Sequence, residues 1–354
     1  MRLGIIGLPQ SGKTTIFNAL THGHAPTTAS AGRIEMHTAV IDVPDARLDE
    51  LGRMFAPRKV IHAKVTYADV AGLEGAAEKS GISGALLNQL SQMDGFILVV
   101  RCFENENVPH PAGSVDPVRD IDSMKSELLL NDLVAVEKKT EKLEEELRKG
   151  AADKSSLERQ MLLFRRLHDE LSAGRALRDA RISVEEDKLL SGFGLLSRKP
   201  LLILLNLGEG QAAPSISHEQ NCPVLFLQGK LEMEISQLSA EDGLLFMKEY
   251  GIEEPGLEKM IRVSYDLLNL QSFFTIGDHE VHAWTILRGS SAAQAAGEIH
   301  TDMQRGFIRA EVISFNELVT LGGINEARSA GRLRLEGKDY ILQDGEIVYI
   351  RFNV

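Results

Sequence analysis

The run Gly7-Leu8-Pro9-Gln10-Ser11-Gly12-Lys13-Thr14-Thr15 has the spacing Gly-x-x-x-x-Gly-Lys-Thr, which suits the capture of a phosphate chain. A loop turning this tightly points successive backbone N–H groups at a concave face. A helix starting at its end adds partial positive charge, so main chain does most of the holding. Lys13 can reach the outer phosphates, and Thr14 offers a hydroxyl to magnesium, a hard cation that prefers oxygen and keeps several of its waters. Gln10, Ser11, Gly12, Lys13, Thr14 and Thr15 are therefore candidates for nucleotide binding, and Lys13 is also a candidate for catalysis. A second group, Asp69-Val70-Ala71-Gly72, ends an apolar run. An aspartate at the carboxyl end of a buried strand faces loop-bound phosphates in such sheets. Asp69 is thus expected to share a magnesium ion with Thr14, and the backbone N–H of Gly72 to approach the terminal phosphate as a second catalytic candidate.

These groups need strands behind them and helices after them. The apolar run 3–6 reads as a buried strand, and Ile16, Phe17, Ala19 and Leu20 have helical spacing. Further strands are expected at 39–43, 64–68, 96–100, 201–205 and 224–227, with helices at 47–55 and 85–93. Residues 21–32 lack a sustained period and read as a first switch loop; 74–83 resembles a segment that rearranges. Two loops, Asn206-Leu207-Gly208-Glu209 and Gln228-Gly229-Lys230, follow apolar strands and are expected to hold a base, because ligands of open α/β sheets bind outside the strands' carboxyl ends. Between them and the first half lies a charged helical region. Leu129, Leu133, Val136, Thr140, Leu143 and Leu147 form one pairing seam; Leu157, Met161, Phe164, His168 and Leu171 form a second, giving an antiparallel helical arm. Helices over 235–270 lead to a small α+β domain, with strands at 273–276, 281–286, 306–312, 332–335 and 347–352 around one helix at 292–303.

The chain has 354 residues and 43% hydrophobic content, enough for two or three domains with sizeable cores. Its net charge of −12 supplies no overall cationic field for nucleic acid, so any RNA must be met by a local patch and DNA is not an expected partner. Cys102 and Cys222 each adjoin an apolar run; two cysteines give no disulfide framework, fit a reducing cytosol, and read as core residues. Apolar runs fall far short of the roughly 20 residues of a membrane span.

Residues across nearly the whole chain resemble the YchF or Obg-like ATPase family. Beyond the phosphate loop they include Val43-Pro44-Asp45-Ala46-Arg47-Leu48, Asp69-Val70-Ala71-Gly72-Leu73, Val100-Arg101-Cys102-Phe103-Glu104-Asn105 and Asp116-Pro117-Val118-Arg119-Asp120-Ile121. Glu280-Val281-His282-Ala283-Trp284-Thr285-Ile286, Gly306-Phe307-Ile308-Arg309-Ala310-Glu311-Val312 and Gly337-Lys338-Asp339-Tyr340 resemble the family's ubiquitin-like TGS domain. The resemblance implies an α/β P-loop NTPase fold of G-protein type with a mostly parallel sheet, a helical hairpin insert and a carboxyl-terminal α+β TGS domain. The expected domains are a nucleotide-binding domain at 1–119 and 197–270, a coiled-coil arm at 120–196 and the TGS domain at 271–354. It further implies a cytoplasmic, monomeric, magnesium-dependent ATPase with slow turnover that associates with the ribosome and not with a membrane. The alternatives are a GTPase of the same fold and a non-hydrolysing ATP-binding interaction module.

The residues give a physical account of ATP over GTP. A guanine site ordinarily ends in Asn-Lys-x-Asp, whose carboxylate accepts from the base's N1–H and 2-amino group; here the tetrad is Asn206, Leu207, Gly208 and Glu209. Adenine lacks those donors, so a carboxylate held there would be buried unpaired at about 1–3 kcal/mol, and the longer Glu209 is expected to turn away. Asn206 can pair with the adenine N6 and N7 edge, Leu207 and, by resemblance, Phe103 can pack its faces, and Gln228 and Gly229 complete the base site. Leu73 stands where many GTPases place a water-orienting glutamine, which predicts slow intrinsic turnover. Two positions depart from the family pattern. Gln10 replaces an asparagine linked with potassium binding, and Arg33 falls where the first switch places its magnesium threonine, leaving Thr27, Thr28 or Thr38 as substitutes, or a retained water.

Overall fold

The computed structural model describes residues 1–23, 36–70, 82, 84–150, 153–214, 222–250, 252, 254–277 and 279–353. Among them the strands are β1 (Arg2–Ile6), β2 (Met36–Asp42), β3 (Lys59–Ile61), β4 (Lys64–Val70), β5 (Gly95–Arg101), β6 (Leu201–Asn206), β7 (Val224–Leu227), β8 (Leu270–Ile276), β9 (Glu280–Leu287), β10 (Phe307–Ser314), β11 (Arg334–Glu336) and β12 (Glu346–Phe352). The helices are α1 (Lys13–Thr21), α2 (Ala46–Phe55), α3 (Gly84–Ser91), α4 (Pro117–Arg148), α5 (Lys154–Ser172), α6 (Val184–Leu190), α7 (Gly229–Ser236), α8 (Ala240–Glu249), α9 (Gly256–Leu267), α10 (Ala292–Ile299), α11 (Thr301–Arg305), α12 (Phe315–Leu321) and α13 (Ile324–Ser329). Two compact units result: Met1–Ala39 with Thr66–Leu257, and Val40–Val65 with Glu258–Val354.

The first unit is built on a six-stranded sheet of order β2-β4-β1-β5-β6-β7. Every residue of β5 and of β6 is buried, as expected of parallel strands covered on both faces. The pairings β1 with β4, β1 with β5, β5 with β6 and β6 with β7 are all parallel. Register therefore sets Ile5 beside Asp69, Arg101 beside Asn206, and Asn206 beside Leu227. The five strand exits open on one edge, the edge the phosphate loop occupies.

The helical arm starts cleanly, because the Asp116 carboxylate accepts from the Arg119 N–H (3.1 Å) and Pro117 sits in the first turn. At 32 residues α4 is about 48 Å long. Its foot packs on the sheet through Ile121, Met124 and Leu128, whereas Val136 and Leu143 join Met161, Phe164 and Leu171 of α5 in a core of the arm's own. The seam differs from the sequence reading at one position. Leu167 is fully buried and His168 half-exposed beside Glu137, because α6 and the Leu195 turn cover that flank and widen the buried stripe. The arm is anchored by Asp132, fully buried, whose carboxylate accepts from the N–H groups of Leu196 (2.8 Å) and Ser197 (2.7 Å).

The second unit has a sheet of order β11-β10-β12-β8-β9-β3. Its core joins Phe273, Ile286, Ala295, Val312 and Val348, with Trp284 packed against it. The single helix expected over 292–303 is two helices: His300 is extended (φ −162°) and its ring Nδ1 accepts from the Asp302 N–H, capping a new start. The three-residue β3, and α12 and α13, had no periodic signal. The motif Val43-Pro44-Asp45-Ala46-Arg47-Leu48 belongs to this unit. Asp45 caps α2 through the Arg47 N–H (3.0 Å), and the Arg47 guanidinium bridges Asp45 and Asp344, its charged form favoured by both carboxylates despite burial.

Candidate nucleotide site

The phosphate loop leaves β1 buried and reaches α1 through Gly12, which has φ +96° and gives α1 no side-chain cap. The first turn of α1 carries no acid of its own, so the positive end of the helix is left to groups from elsewhere in the fold. Gln10 is exposed with φ 61°, a left-handed conformation uncommon for a residue with a side chain. The Lys13 side chain folds back over the loop, its Nζ donating to the carbonyls of Gly7 (3.1 Å) and Leu8 (2.9 Å). It is thereby poised over the space the loop encloses.

At the neighbouring strand exit, the Thr14 hydroxyl donates to Asp69 Oδ2 at 2.9 Å. Asp69 Oδ1 is buried with no hydrogen-bond partner. Burial raises the Asp69 carboxyl above its ordinary range, while the Thr14 hydrogen bond and the charges of Lys13 and His37 pull the other way. A buried oxygen left over, next to a hydroxyl, is a donor set that fits a hard divalent cation, which would take Asp69 and Thr14 oxygens and fill its other positions with water and phosphate. Among the described residues no group of three or more His, Cys, Asp or Glu side chains could hold a metal. Gly72, Leu73, Thr27, Thr28 and Arg33 lie outside the described residues, and Thr38 is exposed on β2.

The base edge is organised by Asn206, which is 4% exposed. Its Nδ2 donates to the Ser11 carbonyl (3.0 Å) and its Oδ1 accepts from the Gly229 N–H (3.0 Å), so one carboxamide ties the phosphate loop to the start of α7. Both neighbours must lack a side chain. A Cβ on Gly12 would stand 2.2 Å from Asn206 Nδ2, and one on Gly229 would stand 2.9 Å from Asn206 Oδ1. The sequence reading gave Asn206 to the base alone; the structure gives it this bracing first, leaving one amide hydrogen and one lone pair. Leu207 is buried in the sheet core, at odds with an open base-packing face, because its side chain joins Leu205 and Cys222 there. Glu209 is exposed, Gln228 half-buried before α7, and Thr15 half-buried on α1.

Phe103 lies beside this edge, its Cβ within 3.3 Å of where a Cβ on Gly208 would be. Its loop is fixed by Arg101, buried, whose Nε donates to Phe103 O (3.0 Å) and Nη2 to Val108 O (2.8 Å) while the guanidinium lies 4.7 Å from the Phe103 ring centre. Farther along, His110 Nδ1 accepts from the Ala112 N–H, so Nε2 carries the proton and donates to Asp120 Oδ2 (2.9 Å). Cys102 and Cys222 are both buried thiols, the former pushed up to about 12 chiefly by burial. Sequence reasoning missed the part played by Arg101, though it lies in a quoted motif, and missed Gln211, which carried no signal at all.

A parallel sheet, a glycine-lysine phosphate loop between β1 and α1, and an aspartate at the adjacent strand exit define a P-loop NTPase of the GTPase type. In agreement, a family model described as a 50S ribosome-binding GTPase matches residues 2–139, and one named YchF-GTPase C-terminal, described as a protein of unknown function (DUF933), matches residues 270–353. Over 364 residues the chain is 36% identical to the ribosome-binding ATPase YchF of Bacillus subtilis (strain 168), covering 99% of both. It is 37% identical over 363 residues to the protein of that name from Escherichia coli O157:H7, covering 100% of this chain and 99% of the relative. Among solved structures, the Schizosaccharomyces pombe YchF GTPase superposes with a TM-score of 0.86 at 28% identity, over 99% of this chain and 97% of that one. The chain belongs to the YchF family.

Proposed function

We propose that this protein is a nucleotide-dependent switch that binds ATP, hydrolyses it slowly with magnesium, and associates with the ribosome. The observation that carries the reading is the cluster of Lys13, Thr14 and Asp69 at the uncapped start of α1. A triphosphate displaces the Gly7 and Leu8 carbonyls from Lys13, whose charge then meets the outer phosphates. Magnesium, when bound through Thr14 and Asp69, supplies neutralisation of phosphate charge. The ribosome enters through the names of the relatives, ribosome-binding ATPases.

ATP is preferred and GTP binds more weakly, since the base loop offers an amide at Asn206 and an exposed Glu209 rather than a short carboxylate turned to a guanine edge. Gly72 and the remaining loop residues complete the phosphate contacts in this reading. A monomer of three domains, with a nucleotide-binding domain, a helical arm and a TGS domain, acting in the cytosol without DNA or membrane, belongs to the same proposal. Among the described residues no helix is long and apolar enough to cross a membrane.

Competition titration of ATP against GTP tests the purine, with tighter ATP expected; equal or tighter GTP makes the protein a GTPase of the same fold. Lys13→Ala is expected to abolish nucleotide retention, and retention at the wild-type level would overturn the site. Single-turnover phosphate release with and without ribosomes tests hydrolysis, and no release in either condition identifies a non-hydrolysing module.

A further inference from the structure

Two backbone N–H groups flank Asn206 on the base edge, and both are engaged within the protein. The Gly229 N–H is held by Asn206 Oδ1 (3.0 Å); the Gly208 N–H is held by Gln211 Oε1 (2.8 Å). The other end of the same glutamine, Nε2, donates to the Cys102 carbonyl at 2.6 Å, across 109 residues of sequence. Gln211 thus staples the exit of β6 to the exit of β5, strands paired side by side with Arg101 opposite Asn206. The stapled loop is the one that carries Phe103, whose other support is Arg101.

We propose that Gln211 is a positioning residue that sets purine selectivity, an assignment that rests on the nucleotide reading of the site. Guanine presents an acceptor, O6, at its C6 edge; adenine presents an amino donor there. An edge whose backbone N–H groups are already committed offers O6 no main-chain donor, whereas the remaining lone pair on Asn206 Oδ1 can accept from an adenine amino group. By occupying Gly208 N–H, Gln211 withdraws a donor that guanine would use. By holding Cys102 O, it keeps the loop that carries Phe103 in place.

Dissociation constants for non-hydrolysable ATP and GTP analogues, measured by calorimetry, test this alongside kcat and KM for ATP. Gln211→Ala is expected to lower the ATP-over-GTP ratio about five- to tenfold, with KM rising and kcat at saturating ATP within about twofold. Gln211→Glu keeps an acceptor for Gly208 but cannot donate to Cys102 O; it is expected to weaken ATP without improving GTP. The side chain is exposed, so both variants are expected to fold, which far-UV circular dichroism checks. An unchanged ratio in Gln211→Ala, with wild-type ATP binding intact, overturns the assignment and leaves the nucleotide reading standing. Equal losses for ATP and GTP also overturn it, because they mark a prop with no selectivity. A wild-type chain that binds neither analogue overturns the reading itself, and the assignment with it.

Discussion

Replacing Gly12 by alanine puts a methyl carbon 2.2 Å from the amide nitrogen of Asn206, far inside any non-bonded contact a Cβ makes. Asn206 must withdraw, and its hydrogen bonds with Ser11 O and Gly229 N–H go with it. Each buried group left unpaired costs about 1–3 kcal/mol, and the φ of +96° adds about 1 kcal/mol for a residue with a Cβ. Gly12→Ala is therefore expected to destabilise by about 3–7 kcal/mol. Asn206→Ala removes the same two bonds at about 2–6 kcal/mol, but it also removes the obstacle. Adding Gly12→Ala to it should cost only the backbone strain, about 1 kcal/mol, so the two changes couple by about 2–6 kcal/mol. Urea unfolding can isolate the relevant unit. The single tryptophan, Trp284, lies on β9 of the other unit, so its fluorescence follows that unit while far-UV circular dichroism follows both. The part of the dichroism transition that fluorescence does not share reports the nucleotide unit. Additivity within about 0.5 kcal/mol would refute the close contact between Gly12 and Asn206.

Three further outcomes are expected. Because burial raises the folded-state Asp69 carboxyl, the stability it contributes is present in full below its unfolded value of about 4 and is lost as pH rises through the raised one. Asp69→Asn cannot ionise, so its ligand-free melting temperature should fall less than wild type over that window, while magnesium-dependent ATP affinity is lost; parallel pH curves would contradict this. Asp132→Ala leaves the Leu196 and Ser197 N–H groups unpaired in a fully buried position, and should cost about 2–4 kcal/mol in the same dichroism transition, an effect under 1 kcal/mol counting against the anchor. Gln10→Asn places a residue more tolerant of φ 61° at the loop tip, and should raise stability by about 0.5 kcal/mol without weakening ATP, as read by thermal unfolding and calorimetry.

The amino-acid sequence by itself determined the parts whose causes are local. Gly7 to Gly12 sits between a strand and a helix because the apolar run before it and the helical period after it leave only a turn between them. The apolar runs 96–100 of β5 and 201–205 of β6 read as buried strands of the sheet, and their order with the phosphate loop already set Asp69 and Asn206 at one edge. The arm's helices were equally legible, since Asp116, Pro117 and Asp153 start them through contacts within three residues.

Tertiary structure alone decided what depends on partners far along the chain. Asn206 reads from sequence as a base contact, yet its first hydrogen bonds join Ser11 and Gly229, 195 and 23 residues away. Asp132 stands in a charged helical region, and only the fold brings it the N–H groups of Leu196 and Ser197 in the interior. Gln211 carried no motif, and only the pairing of β5 with β6 brings Cys102 within its reach. Periodicity records which face of an element is buried. It does not record which backbone donor on another element a polar side chain will meet, because that geometry exists only once the sheet has set the strand exits side by side.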